Sequence, residues 1–242
     1  MPTGMTEPIS LQALLTGSVR PFGPRGVGSG IAKTPMTEPV YLGRFGFDGD
    51  AQGDGKHHGG PEKAVHHYPF EHYAHWQAQI GPRDVLAQPG AFGENLSTLG
   101  LTEETTAIGD VFRLGAAVIE VSQGRQPCWK LNLRFDQPDM ALRVQRSGRT
   151  GWYYRVLEEG VVAPGDHPIR LDRRIPDWPL HRFWRLLYID TMNREELRAM
   201  ANLPGLPENW LRLAERRLAT GQVEDWSPRL HDRERPDASR LP

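Results

Sequence analysis

The alternation of apolar and polar residues predicts short β-strands along most of the chain. In the segment AAVIEVSQ, Ala117, Ile119 and Val121 fall on one face, as in a strand with one buried side. The preceding segment DVFRLG is predicted to pair with it as a hairpin that turns at Gly115. More strands are predicted in GWYYRVLEEGVVAPGDHPIRL, where Gly160 and a PGD turn separate them. Many short strands between Gly and Pro turns indicate a mainly β fold, a closed or half-closed barrel.

One helix is predicted to interrupt these strands, in the segment YPFEHYAHWQAQIG. Pro69 is expected at the first helical position and Gly81 just after the last, because these residues favour those positions. Phe70, Tyr73 and Trp76 recur at helical spacing, so we expect them to form a stripe that faces the core.

Toward the C-terminus the pattern changes to that of short amphipathic helices. They are predicted in LHRFWRLLYID, in NREELRAMANLPG with Asn193 as its cap, and in ENWLRLAERRLATG. The last carries Leu211, Ala214 and Leu218 on one predicted apolar face. We therefore expect a β-rich domain over residues 1–175 and a small three-helix domain over residues 176–242, with the polar end SPRLHDRERPDASRLP frayed.

Composition and charge narrow the function classes. The chain of 242 residues has 29 Lys and Arg against 30 Asp and Glu, a net charge of −1. This balance gives no support for binding to polymeric nucleic acid or to a membrane surface. The sequence has no apolar run long enough to cross a membrane, and MPTGMTEPIS lacks the pattern of a signal peptide. A single cysteine suits a reducing compartment, so we expect a cytoplasmic protein.

The glycine-rich segment GPRGVGSGIAKTP suggests contact with a phosphate. It is not a P-loop, because Val27 and Ala32 occupy the two positions where that motif requires glycine. Backbone N–H groups and the ammonium of Lys33 could still reach an anion. The alternative is a flexible loop with an exposed lysine, whose removal would cost the fold no more than about 0.5 kcal/mol.

Histidines are concentrated in one region, with six of the nine between His57 and His75. His72 and His75 are three residues apart on the predicted helix and could share a zinc ion, although no HExxH or CxxC motif is present.

The loop HHGGPEK could instead place His58 and Lys63 toward a ligand. His66 or His67 would then only form hydrogen bonds within the core. In PGAFGENLSTLGL, Glu94 and Asn95 could either connect strands or supply hydrogen bonds to a pocket.

The only cysteine, Cys128, lies between Arg125 and Lys130, where the strand before it is predicted to end. Flanking cations favour the thiolate, which is the form that attacks electrophiles and binds metals. The residue could be a metal ligand, the nucleophile of a Cys-His hydrolase with a base from the histidine cluster, or an inert core cysteine.

Several long segments together resemble the YiiM-type proteins of the MOSC domain family: HHGGPEKAVHHYPFEHYAHW, AFGENLSTLGL, GDVFRLGAAVIEVSQGRQPCWKLNLRF and GWYYRVLEEGVV. The C-terminal helical part resembles the three-helix domain that follows MOSC in these proteins. The resemblance implies a MOSC-type β-barrel with a few helices, which binds the molybdenum cofactor (molybdopterin). It implies that Cys128 is the metal ligand and catalytic residue. The cofactor-binding residues predicted on this basis are Lys33, His58, Lys63, Asn95, Arg125 and Cys128.

The resemblance also implies a reaction, the reduction of N-hydroxylated bases such as 6-N-hydroxylaminopurine to the amine. Its electrons would come from a separate flavoprotein reductase, because the chain has no pattern for a flavin or haem site and one cysteine excludes a Cys₄ cluster. The alternative function is a carrier of molybdenum cofactor or sulfur that performs no turnover. A homodimer is a further expectation, since the predicted C-terminal helices offer an apolar face.

Overall fold

The computed structural model describes residues 9–53 and 59–231. The strands in this part of the chain are Ser10–Thr16 (β1), Arg20–Phe22 (β2), Val27–Ser29 (β3), Thr34–Pro35 (β4), Val40–Gly43 (β5), Gly46–Phe47 (β6), Val65–Pro69 (β7), Leu96–Leu99 (β8), Asp110–Leu114 (β9), Ala117–Gly124 (β10), Trp152–Glu158 (β11), Gly160–Val162 (β12) and Ile169–Arg173 (β13). The helices are Glu71–Ile80 (α1), Lys130–Arg134 (α2), Met140–Ser147 (α3), Leu180–Tyr188 (α4), Arg194–Ala201 (α5), Glu208–Thr220 (α6) and Ser227–Leu230 (α7), with 3₁₀ turns at Pro61–Lys63 and Asp84–Leu86.

The predicted β fold is confirmed. An eight-stranded sheet in the order β13-β9-β10-β11-β7-β8-β1-β4 curls into a half-barrel, accompanied by a three-stranded sheet β12-β5-β6 and the hairpin β2-β3. The main sheet is mixed, because β7 and β8 run parallel while its other pairs are antiparallel. No helix in the described ranges is both long and apolar enough to span a membrane.

The hairpin predicted around Gly115 forms as expected. Leu114 pairs with Ala117, and Gly115 makes the turn with a φ of 59°, a conformation that glycine adopts without strain. Ala117, Ile119 and Val121 are completely buried on the face that the alternation predicted. This strand, β10, therefore crosses the centre of the core and delivers the segment that contains Cys128 at its C-terminal end.

The helix predicted at residues 69–81 exists, but its start was predicted wrongly. Pro69 is the last residue of β7 and pairs with Thr98 in the parallel ladder, and the N–H of Phe70 donates to the Thr98 carbonyl at 2.8 Å. This long-range pairing holds Pro69 in the sheet and delays the helix to Glu71. Tyr73 and Trp76 are buried in the core as predicted.

The C-terminal helices predicted from the sequence are α4, α5 and α6, and Asn193 caps α5 by accepting the N–H of Glu196 at 3.2 Å. The buried face of α6 matches the prediction in part, since Ala214 is completely buried as predicted. Trp210 and Leu213 also point inward, while Leu211 is only half-buried. Trp210 packs edge to face on Phe183 at a centroid distance of 5.0 Å. Both belong to the same hydrophobic cluster as the strands, so the core is continuous from the half-barrel into the helices.

The expectation of a frayed C-terminal end is wrong for its first residues. Ser227–Leu230 forms the short helix α7, and Leu230 is only 5% exposed. Leu230 packs in a second hydrophobic cluster with Leu131 and Phe135, so burial of one apolar side chain orders a segment whose composition is polar. Residues 232–242 lie outside the described part of the chain.

Candidate functional site

Cys128 lies in a pocket at the C-terminal end of β10, beside the loop that follows the β2–β3 hairpin. The pocket holds about 570 Å³ of space when its open mouth is included. Of the residues predicted to bind a cofactor, the structure brings together Lys33, Lys63, Asn95, Arg125 and Cys128 along this pocket. The remaining one, His58, lies outside the described residues.

The Cys128 segment is shaped by the end of one element and the start of another. Strand β10 ends at Gly124 and helix α2 begins at Lys130, with the N–H of Leu131 donating to the Cys128 carbonyl at 3.0 Å. The cysteine is 7% exposed, and no hydrogen bond to its sulfur is found within residues 9–53 and 59–231. The thiol is thus enclosed but faces a space that another group can enter.

Arg125 presents an unsatisfied donor in the same pocket. Its backbone N–H donates to the Gly151 carbonyl at 3.0 Å, and its Nη2 donates to the Phe92 carbonyl at 3.2 Å. Its Nη1 is buried without a hydrogen-bond partner, and none of the described carboxylates forms an ion pair with it. A buried guanidinium with an unpaired N–H donor is suited to bind an anion, which would accept that hydrogen bond.

Tyr153 lies against this guanidinium and against the cysteine. Burial raises the pKa of Tyr153, the charge of Arg125 opposes the rise, and the nearby Cys128 adds to it. The phenol therefore stays protonated near neutral pH and forms part of the pocket wall.

Lys33 lines the pocket, and it is not the exposed lysine of the flexible-loop alternative. Its side chain is 5% exposed and forms an ion pair with the fully buried carboxylate of Asp50. Asp50 also accepts the backbone N–H of Gly17 at 2.9 Å. Burial lowers the pKa of Lys33, and the charge of Asp50 opposes that shift. We therefore expect removal of Lys33 to disturb the fold as well as the pocket.

Asn95 has a structural task that its motif did not reveal. Its Oδ1 accepts the N–H of His66 at 3.0 Å, and its Nδ2 donates to the Leu15 carbonyl at 3.1 Å. The side chain therefore joins β1 to β7 beside the pocket. Glu94 does not line the pocket; it accepts backbone N–H groups of Gly90 and Phe92 and so holds the turn in front of it.

Two adjacent histidines divide between core and pocket. His67 is completely buried, and its ring nitrogens bond the hydroxyls of Tyr154 at 2.9 Å and Thr98 at 2.8 Å. His66 lines the pocket, and its buried Nε2 has no hydrogen-bond partner. Burial, helped by the charge of Arg125, holds the pKa of His66 well below its usual value, so the ring is neutral at pH 7. Because side chains alternate along a strand, two adjacent histidines must face opposite sides of the sheet. The alternation does not indicate which of the two faces the pocket.

Two further lysines complete a cationic lining. Lys63 places its ammonium 5.9 Å from the ring centroid of Tyr153. Lys130, noted in the sequence only as a neighbour of Cys128, donates from Nζ to the Gly28 carbonyl at 3.1 Å and also lines the pocket. Together with Lys33 and Arg125 they make four cations, whereas no described lining residue is acidic. The pocket is therefore suited to an anionic ligand.

The zinc alternative finds no support in the described residues, where no group of three or more His, Cys, Asp and Glu side chains could hold a metal ion. His72 instead bonds Glu103, with Nε2 and Oε2 2.6 Å apart, and the ring of His75 packs on Trp76. The hydrolase alternative needs a base for the thiol, and none of the described histidines forms a hydrogen bond with Cys128.

Comparison with known protein families identifies the class of protein to which this fold and pocket belong. The model of the MOSC domain matches residues 54–167, and that of the YiiM-like, 3-alpha helix domain matches residues 178–221. YiiM of Escherichia coli is 39% identical over 215 residues, which cover 89% of this chain and 95% of that protein. The crystal structure of YiiM from Geobacillus stearothermophilus superimposes with a TM-score of 0.75 at 32% identity, over 87% of this chain and all of that one.

A third relative has a longer chain. A protein of Gibberella moniliformis named Reductase is 38% identical over 191 residues, which are 78% of this chain and 34% of that protein. The fold is that of MOSC proteins, and the family resemblance read from the sequence is confirmed. Within that class, the chain belongs to the YiiM family.

Proposed function

We propose that the protein binds molybdenum cofactor in the Cys128 pocket and reduces N-hydroxylated bases, such as 6-N-hydroxylaminopurine, to the amine. The observation that carries the proposal is the buried Nη1 of Arg125, which lacks a partner in the same pocket as a cysteine whose sulfur is also unbonded among the described residues. A cofactor with anionic groups and a metal that accepts a thiolate would satisfy both.

The lining residues fit such a group. Cys128 would hold the metal, since a soft thiolate suits molybdenum better than a hard oxygen ligand does. Arg125, Lys63 and Lys130 would bind the anionic groups. Lys33 also lines the pocket, but its charge is offset by its ion pair with Asp50. Phe92 is buried and lies beside them as an apolar part of the pocket wall.

The reaction is a two-electron, two-proton reduction in which the N–O bond breaks, the nitrogen keeps its carbon substituent and water leaves. When bound, the cofactor would supply the electrons for this cleavage, and the protein would bind and orient it. The electrons would enter from a separate flavoprotein reductase. A relative named Reductase supports reductive chemistry on this fold.

The test uses protein purified from a host that makes molybdenum cofactor. Molybdenum is measured per chain, and the loaded protein is mixed with 6-N-hydroxylaminopurine and a chemical reductant. We expect conversion to adenine that requires the metal. Loaded protein that retains molybdenum without conversion would favour the carrier function, and protein that never retains molybdenum would refute the proposal.

A further inference from the structure

The segment after α6 lies against the loop that contains Cys128. This segment, residues 222–231, follows the end of the matched three-helix domain at residue 221. Its last part, α7, packs against α2, where Asn132 donates from Nδ2 to the Leu230 carbonyl at 3.0 Å. A segment far away in sequence thus contacts the reactive loop directly.

One residue of this segment, Arg229, holds the peptide groups on both sides of the cysteine. Its carbonyl accepts the N–H of Trp129 at 2.8 Å, and its Nη1 donates to the carbonyl of Pro127. Its Nη2 donates to Oε1 of Gln145 on α3 at 2.5 Å, which fixes the guanidinium in place. Pro127 and Trp129 are the direct neighbours of Cys128.

The segment is itself fastened to the helical part of the protein. The fully buried Arg217 of α6 pairs with Glu224, with Nη2 and Oε1 2.7 Å apart. Trp226 donates from Nε1 to the same carboxylate at 3.1 Å, and its ring packs edge to face on Tyr188 of α4. Arg229 therefore connects the Cys128 loop to a rigid support.

We propose that Arg229 is a positioning residue that fixes the direction of the Cys128 thiol in the pocket. Because the carbonyl before the cysteine and the amide after it are both held, rotation of the intervening backbone is restricted and the side chain keeps one direction. This proposal rests on the proposed function in one respect, which is that Cys128 is taken as the residue that binds the ligand. It holds whatever ligand the thiol binds.

The chain contains one cysteine, so alkylation by iodoacetamide reports on Cys128 alone. The rate is measured by mass spectrometry on the full chain without cofactor, from pH 6 to pH 9 and well below the melting temperature. We expect Arg229→Ala to alkylate at least roughly fivefold faster than wild type, because loss of the hydrogen bond that holds Pro127 frees the loop. Molybdenum retained by loaded protein should fall in the same variant.

Two controls separate positioning from stability. Met200→Ala removes a fully buried side chain of α5 that belongs to a different hydrophobic cluster from Leu230 and Leu131, and it supplies a destabilised but correctly positioned reference. Arg212→Ala removes an exposed arginine whose one ion pair among the described residues is with Glu208, and it should behave as wild type. Alkylation of Arg229→Ala at the rate of Met200→Ala, at equal distance below their melting temperatures, would overturn the proposal.

If Arg229→Ala does not fold, Arg229→Lys provides the same test, because a lysine keeps the charge but cannot bridge Pro127 and Gln145 together. Its alkylation rate should also exceed that of Met200→Ala, and equality would again overturn the inference. These results are independent of the proposed function, because a wild-type protein that never retains molybdenum refutes that function and leaves the alkylation comparison intact.

Discussion

Replacing Lys33 with alanine should cost the fold far more than replacing an ordinary surface lysine. The change leaves the carboxylate of Asp50, whose side chain is completely buried, without its ion-pair partner. Removing one member of a buried pair costs about 3–5 kcal/mol. Asp50 keeps the N–H of Gly17 at 2.9 Å and the amide of Gln52 at 3.3 Å, so we expect the low end, about 3 kcal/mol.

The measurement is urea unfolding at pH 7 together with the melting temperature. For a domain of this size, about 3 kcal/mol corresponds to a fall of about 6–12 °C. Arg212→Ala, which breaks an exposed pair, is the matched control and should change stability by less than about 1 kcal/mol. Cofactor occupancy of the Lys33 variant must then be compared with that of wild type at an equal folded fraction. Otherwise a lower occupancy could result from unfolding alone.

A double-mutant cycle measures the coupling between Lys33 and Asp50. In the Lys33→Ala/Asp50→Asn variant the buried charge is gone, so the two substitutions should be coupled by about 1–3 kcal/mol and the double variant should be more stable than the sum predicts. A single Lys33→Ala variant that unfolds within about 0.5 kcal/mol of wild type would show that the ammonium and carboxylate are not a buried pair in solution.

Three further predictions concern the site and its support. Cys128→Ser should keep the melting temperature within a few degrees of wild type yet lower retained molybdenum to background in metal analysis; full retention would remove the cysteine from the proposed ligand set. Arg125→Lys keeps the charge but loses the planar fork, and it should lower retained molybdenum roughly tenfold after dialysis; unchanged retention would mean that Arg125 is no anchor. Burial lowers the pKa of His67 from 6.5 to about 3, so below pH 6.5 the unfolded chain binds a proton that the folded chain refuses. Stability should therefore fall by about 1.4 kcal/mol per pH unit for this group as the pH drops from 6.5 toward 3, and urea unfolding of His67→Gln should show a shallower slope; an unchanged slope would contradict this assignment.

Much of the fold was predictable because its signals are local. The alternation around Ile119, the glycine turn at Gly115 and the cap at Asn193 each depend on a few neighbouring residues, and the structure contains all three. The family resemblance predicted which residues would meet in one site. It assigned the motifs around Asn95 and Cys128 to the same cofactor site, although they are far apart in the sequence. Five of the six residues assigned in this way line the same pocket.

The errors arose where a long-range contact outweighed the local preference. Pro69 favours a helix start, but its pairing with Thr98 keeps it in the sheet. The polar C-terminal segment resembled a frayed end, but the burial of Leu230 and the hydrogen bonds of Arg229 hold it on the Cys128 loop. Neither partner is close in sequence, so no local pattern could indicate the outcome.

The sequence by itself indicated the strands β9 to β13 and the helices α1 and α4 to α6, and through the family resemblance it indicated a set of residues that could bind an anionic cofactor. Only the tertiary structure decided that His66 rather than His67 faces the pocket, that Lys33 is buried against Asp50, and that a spare donor of Arg125 is left beside Cys128. The physical reason is that burial and charge pairing depend on distances between segments far apart in the chain, and folding alone sets those distances.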